Sequence, residues 1–290
     1  MSMKLKLRPF PLQSILFIKL KIVKNIKDFN DIRSAFDQIT FIPTMGNLHN
    51  GHLSLFERAS ELNNPIFSSI FINPLQFNNK NDFANYPKTL EKDISLLESQ
   101  NCECLFLPDE SILDNIEQIK APDKANFLCG ANRPGHFDGV LTIVNKLFDL
   151  MRPSDAVFGL KDYQQYLLIK DYVNSRNLPI NVVGSKTIRD KNGLAMSSRN
   201  NLLTSNELIK ASEIYKSLLF IKNNTKNLSK HFLDEVSRDL NKKGFKVDYL
   251  TVINSITLQE CLNQRMEEGR LIVAIAAKIG SVRLIDNIFI

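Results

Sequence analysis

Between Phe41 and Val183 the chain alternates short apolar runs of strand length with stretches whose apolar residues repeat at helical spacing, and this alternation constrains the fold more than any other feature. Strands are expected just before Pro43 and near Ile66 to Ile72, Cys104 to Leu107, Ala156 to Phe158 and Ile180 to Val183. Between them, Leu53, Phe56, Ala59 and Leu62 recur every third residue; Leu90, Ile94 and Leu97 give a second helical face, and Val140, Val144, Leu147 and Met151 a third. Such an order predicts an α/β fold, a Rossmann-like, doubly wound parallel sheet, because parallel neighbours need a crossover that a helix supplies. After about Ile188 the order changes. Helical segments at Ser205 to Lys222 and Leu228 to Lys242 precede apolar runs at Phe245 to Ile253, Leu271 to Ala277 and Val282 to Ile288. The chain is therefore expected to comprise a Rossmann-like domain over residues 1–187 and a smaller C-terminal α+β lid domain over residues 188–290, lengths that allow each a core.

Where the first strand runs into its helix, the residues read Met45-Gly46-Asn47-Leu48-His49-Asn50-Gly51-His52, an H-x-G-H turn. Histidines three apart at a helix start can point to one side, toward the unpaired N–H groups and the positive end of the helix dipole. Gly51 lets a ligand approach the backbone, so the turn suits phosphate. The competing readings are two surface histidines or half of a zinc site. The latter lacks ligands, since only His136 and His231 remain and Cys102, Cys104, Cys129 and Cys261 form no C-x-x-C pair.

Two further turns carry chemistry. Gly159-Leu160-Lys161-Asp162 follows the run Ala156-Val157 and leads through Gln165 into another helix; ligands of parallel sheets bind beyond the carboxyl ends of strands, so this set can share a crevice with the histidines. Met196-Ser197-Ser198-Arg199 follows the Gly193 turn and offers two hydroxyls and a planar guanidinium, an anion clamp at the junction of the two domains. A solvated Lys-Asp pair and a serine-capped loop are the bland alternatives.

Taken together, these motifs, with Ser69-Ile70-Phe71-Ile72-Asn73-Pro74-Leu75-Gln76-Phe77 and Arg133-Pro134-Gly135-His136-Phe137 in the same order, resemble the pantothenate synthetases, or pantoate–β-alanine ligases, of the H-x-G-H nucleotidyltransferase superfamily. The resemblance spans about Pro43 to Leu203, and Met-Ser-Ser-Arg is similar to the K-M-S-K-S loop of class I aminoacyl-tRNA synthetases, with Ala195 where that loop begins with Lys. It implies an AMP-forming ligase that joins pantoate to β-alanine through a pantoyl-adenylate, using ATP and Mg2+, as a cytoplasmic homodimer. Carried over residue by residue, it places Met45, Gly46, Asn47, Leu48, His49, Asn50, Gly51, His52, Gly159, Leu160, Lys161, Asp162, Ile188, Met196, Ser197, Ser198 and Arg199 around ATP and Gln76 and Gln165 around pantoate and β-alanine. His52, His49 and Lys161 are the implied catalytic residues, with His52 as proton donor; the metal ligands stay unassigned. Asn50, Leu160 and Asp138 depart from the family pattern, where an acidic residue, Glu and Arg are usual.

The bulk properties agree. The chain has 43% hydrophobic and 23% charged residues and no stretch of the roughly 20 apolar residues a membrane span requires. Net charge is +6, from 37 basic minus 31 acidic residues, which fits anionic small substrates; no nucleic-acid motif accompanies it. Unpatterned cysteines suit a reducing compartment, Cys102 and Cys104 reading as core or strand residues. Met1 to Leu20 is expected to be an extension or a first strand, its apolar segment being too short and lacking the cleavage site of a signal peptide. Two other functions are compatible with the motifs: a superfamily adenylyltransferase acting on a phosphopantetheine-like acceptor, and a nucleotide-binding regulator without catalysis.

Overall fold

The structure, a computed structural model, describes residues 19–262 and 270–290; all but the end of the Met1 to Leu20 segment lies outside them. Six strands, β1 (Lys21–Val23), β2 (Thr40–Thr44), β3 (Ile66–Ile70), β4 (Cys102–Phe106), β5 (Asp155–Gly159) and β6 (Asn181–Ser185), form one sheet in the order β1-β4-β3-β2-β5-β6, every neighbouring pair parallel. The helices between and beside them are α1 (Ile26–Arg33), α2 (Asn50–Ser60), α3 (Lys80–Ala84), α4 (Leu90–Ser99), α5 (Leu128–Ala131), α6 (His136–Met151) and α7 (Tyr163–Ser175). Because successive strand side chains point to opposite faces, Phe41, Phe67, Cys104 and Phe158 pack beneath α1, α6 and α7, while Ile42, Ile66, Leu105 and Val157 pack beneath α2 and α4. Cys102 and Cys104 are buried strand residues, as expected.

The C-terminal part of the chain follows with α8 (Ser205–Ala211), α9 (Glu213–Asn223), α10 (Lys230–Lys242) and an antiparallel sheet of β7 (Phe245–Asn254), β8 (Leu271–Ile279) and β9 (Val282–Phe289) in that order. The single helix expected over Ser205 to Lys222 is broken at Ser212, whose hydroxyl turns back to the carbonyl of Ile209 and competes with the helical ladder. Leu233, Val236 and Leu240, one stripe of α10, join Ile214, Leu218 and Ile221 of α9 on one face of this sheet. The other face carries Ile253, Ile272 and Ala274 against Tyr163 and Leu167 of α7. Among the described residues, no helix is long and apolar enough to cross a membrane.

The chain winds outward from β2 in both directions, so the switch point lies between β2 and β5. Pairing of these two strands stops at Phe41, whereas β2 continues against β3 to Thr44. Pro43 accounts for this. The Thr44 carbonyl accepts from Phe71 N–H on the β3 side, so by alternation position 43 faces β5, where proline has no donor to offer. The two strands part, and a crevice opens at their carboxyl ends.

A second backbone contact sets the floor of that crevice. A Cβ at Gly139 on α6 would lie 2.2 Å from the Leu75 carbonyl oxygen and 2.8 Å from Gln76 N, so helix and Pro74–Gln76 turn meet backbone to backbone. Gly139→Ala should destabilise the chain by about 1–3 kcal/mol, the usual range for overpacking, read from the midpoint of urea unfolding. An unchanged midpoint would show that the turn shifts freely.

Candidate active site

Four segments converge on the crevice. The first leaves β2 through Gly46 and Asn47, both with positive φ (79° and 51°), a conformation Gly and Asn tolerate best. The N–H groups of Asn47 and Leu48 both donate to the Asp93 carboxylate, at 2.9 and 2.8 Å, and the Thr89 hydroxyl donates to the same group. Asp93 is 1% exposed, so a buried carboxylate on α4 fixes the turn that presents the histidines. His49 caps α2, its Nδ1 accepting from Gly51 N–H at 3.1 Å. The neutral ring must then carry its proton on Nε2. His52 stacks obliquely on it, ring centroids 4.2 Å apart, with a buried Nδ1 that has no hydrogen-bond partner. Gly51 is required here: a Cβ would come within 2.9 Å of the His49 ring and 3.1 Å of Met196 Cβ.

Burial, reinforced by the Lys161 ammonium, lowers the pKa of His49 to about 4. Burial, then His49 and Lys161, lowers that of His52 to about 3. Both imidazoles are therefore neutral at pH 7 and offer N–H groups without charge. An imidazole with the ordinary pKa near 6.5 would be half-charged close to neutrality, and burial takes His52 well below that range.

The second segment supplies Gln76. Asn73, 1% exposed, caps the Pro74–Gln76 turn and donates to Gln76 Oε1 (3.2 Å) and to the Gly139 carbonyl (3.0 Å), while Gln76 Nε2 donates to Met45 Sδ. The Arg-Pro-Gly-His motif holds its backbone: Arg133 Nη2 donates to the Gln76 carbonyl at 3.0 Å, and His136 Nδ1 does so at 2.8 Å. His136 Nε2 is then left to accept from Arg133 Nη1 at 3.1 Å. Burial and Arg133 bring its pKa down to about 4.

The third segment leaves β5 at Gly159. Lys161 Nζ lies 3.6 Å from Asp162 Oδ2. Of the two adjacent glutamines, Gln164 is committed to backbone groups of Lys124, Phe127 and Cys129, and Gln165 is left to line the crevice. The fourth is a hairpin from Ile188 to Met196, closed by Met196 N–H on the Ile188 carbonyl. Beyond it, Ser198 Oγ reaches the Asn47 carbonyl at 3.4 Å, and Arg199 Nη2 lies 3.2 Å from Asp82 Oδ2.

These segments enclose a cavity of about 260 Å3 lined by His49, Gly51, His52, Gln76, Gly159, Lys161, Gln165, Ile188 and Met196 to Arg199. A second cavity, of about 400 Å3, shares Lys161, Asp162, Gln165, Ser197 and Arg199 and extends to Tyr249 and Arg283 of the antiparallel sheet. Gly46, Asn47, Leu48, Asn50 and Leu160 line neither. Leu48 is in the core, Asn47 is a buried link to Ser198, Asn50 is exposed at the start of α2, and Leu160 covers Gly184. Asp138, the reversed charge, lines neither cavity and accepts from Ala121 N–H at 2.8 Å, anchoring a loop. Asp93 and Asp82 were not singled out from the sequence; Asn73 stood in the Ser69 to Phe77 motif without a role, although its place before proline is a local capping signal.

A model of the pantoate–β-alanine ligase family matches residues 20–289. This chain belongs to the pantoate–β-alanine ligase family. The pantothenate synthetase of Thiobacillus denitrificans is 42% identical over 276 residues, 93% of this chain and 96% of that protein. The crystal structure of pantothenate synthetase from Thermus thermophilus, 35% identical, covers 92% of this chain and 98% of its own with a TM-score of 0.80. That of pantoate–β-alanine ligase from Francisella tularensis, complexed with β,γ ATP and β-alanine, is 37% identical, covers 93% and 98%, and gives a TM-score of 0.79.

In this ligase-family chain three histidines, His136 buried and His49 and His52 half-buried, make stability depend on pH. Unfolded, each has a pKa near 6.5; folded, His49, His52 and His136 sit at about 4, 3 and 4. Between these values the unfolded chain binds more protons, so stability is complete above about pH 6.5 and is lost as pH falls toward 4. Thermal unfolding across pH 4 to 7 should show this loss, with a shallower slope in His136→Asn. An equal slope would mean that folding leaves the His136 pKa near 6.5.

Proposed function

We propose that this chain condenses pantoate with β-alanine to give pantothenate, consuming ATP and releasing AMP and pyrophosphate. The observation that carries the reading is the pair of neutral histidine N–H donors facing Lys161 across the gap between β2 and β5, with Gln76 and Gln165 beside them. Family membership supplies the substrates.

The first step is attack of the pantoate carboxylate oxygen on the α-phosphorus of ATP. An O–Pα bond forms, the bond to the bridging oxygen of pyrophosphate breaks, and charge grows on phosphate oxygens already anionic. Lys161 and Arg199 supply positive charge there, and Ser197 and Ser198 add hydroxyl donors. His49 and His52 donate from neutral rings, His49 through Nε2–H; the arriving triphosphate draws their pKa upward, which lets His52 donate more strongly as pyrophosphate leaves. Gln76 and Gln165 hold pantoate with neutral amides that bond its hydroxyls and carboxylate without quenching the nucleophile. In the second step the β-alanine amine attacks the acyl carbon, AMP departs, and the nitrogen gives up its proton.

Asp82 and Asp162 bring hard carboxylate oxygens to the cavity that Lys161 and Arg199 line, a donor set that fits Mg2+ held largely through phosphates. When bound, the ion neutralises phosphate charge. Residues 188–290 act as a lid whose Met196 to Asn200 loop shields the adenylate from water. Two copies of the chain work as a cytoplasmic homodimer.

An AMP assay with pantoate, β-alanine and ATP tests the reaction directly. Pantoate alone should support exchange of labelled pyrophosphate into ATP, and β-alanine alone should not; exchange that needs both would replace the adenylate with a concerted route. His52→Ala should lower kcat about 100- to 1,000-fold with little change in pantoate affinity, and near-normal turnover would remove His52 from the chemistry. Gln76→Ala should weaken pantoate use and leave ATP affinity in place, as read by calorimetric titration.

A further inference from the structure

Lys161 is held from the other domain. Asn287, on β9, is 8% exposed, and its side-chain amide donates to the Leu160 carbonyl at 2.9 Å and to the Lys161 carbonyl at 2.8 Å. An amide nitrogen has two N–H groups, and both are used on successive residues of one turn. The backbone from which the Lys161 side chain springs is thereby fixed by the last strand of the C-terminal sheet, which lies well over a hundred residues along the chain.

The residue before it performs a similar task for the hairpin that leads to Met196. Asp286, 4% exposed, receives a fork of bonds from Arg189, at 2.5 and 2.9 Å. Arg189 also donates to the Gly193 carbonyl and lies over the Tyr215 ring at 3.7 Å. Asp286 Oδ1 in turn accepts Asn287 N–H at 2.8 Å. Two neighbouring residues of β9 thus grip the base of the Met196 to Arg199 segment and the turn that bears Lys161. A guanidinium held by two carboxylate oxygens and a ring is stiff, so displacement of β9 moves both grips together.

We propose that Asn287 is a positioning residue that couples seating of the C-terminal domain to presentation of Lys161, so that the lysine is aligned only when the lid is in place. The proposal rests on the ligase reading given above. With the lid displaced, the Leu160 and Lys161 carbonyls turn to water and the turn is free to rotate. A catalytic cation misplaced by about 1 Å costs on the order of 100-fold in rate, which lets the coupling suppress adenylate formation while the site is open to solvent.

The test uses the full chain and two variants. Asn287→Ala removes both donors; Asn287→Asp keeps the shape and turns an oxygen toward the carbonyls. In pyrophosphate exchange with pantoate, each should lower kcat about 10- to 100-fold, with KM for pantoate within about two-fold of the wild type. Midpoints of thermal unfolding should fall by several degrees, less for Asn287→Ala than for Asn287→Asp, with both variants still folded at the assay temperature. In a Lys161→Met background, Asn287→Ala should add less than about a two-fold loss, because the two act as one unit. Variants that keep kcat within about two-fold of the wild type overturn the proposal. So does a loss shared equally between kcat and pantoate KM, or a failure of both variants to fold, either of which makes Asn287 a general structural residue. A wild-type chain that forms no AMP from pantoate and β-alanine overturns the ligase reading instead.

Discussion

The separation of β2 from β5 beyond Phe41 is the constraint on which the rest of the site depends. In a sheet buried on both faces, polar groups have few places to lie, and the ends of diverging strands are one of them. Pro43 withholds a donor from the β5 side, pairing stops, and the two turns that follow the strands face each other across the opening. The histidines come from one bank and Lys161 from the other. Gln76 enters over the Pro74–Gln76 turn, pressed onto α6 at Gly139 with no side chain between the backbones. The crevice is therefore bounded by main chain on several sides, which leaves little room for its functional groups to wander.

Charge is distributed with the same economy. A deeply buried carboxylate near the site, Asp93, lines neither cavity and accepts hydrogen bonds from two backbone N–H groups and a hydroxyl. The groups that face the cavity at its inner end are uncharged imidazoles, kept so by burial beside a lysine. Positive charge comes from Lys161 and Arg199, each beside a carboxylate, Asp162 and Asp82, and from Arg133 and Lys186, which line the same cavity. A polyanion entering such a site meets donors already oriented and cations already balanced, so little reorganisation accompanies binding.

Local patterns in the sequence carried much of this. The H-x-G-H turn, the Lys161 turn and the Met-Ser-Ser-Arg segment are contiguous, and each lies where a strand or hairpin ends, so their proximity follows once the parallel order is recognised. Five of the six strands of the main sheet and all three of the smaller one were marked by apolar runs, with ends displaced by a few residues. What escaped was long-range or depended on shape. Asp93 reads as one more acidic residue on an amphipathic helix until Asn47 and Leu48 are folded against it. Nothing near Gly139 announces that another backbone will lie there, and the break at Ser212 depends on one hydroxyl choosing a carbonyl over solvent. Asn287 sits in a strand of ordinary alternation, and its partners are 126 and 127 residues away.

The four cysteines are distributed so that one of them stands apart from the rest in exposure. Cys102 and Cys104 are sealed in the sheet, burial pushing the Cys104 thiol up to about 12 and that of Cys102 higher still; Cys261 is buried as well. Cys129 alone is partly exposed, on α5, with Sγ 3.3 Å from the Tyr249 hydroxyl of β7. Because thiol reagents act on accessible thiolate, a reagent meets this sulfur before the other three, and its rate of reaction reports how tightly α5 is closed against β7.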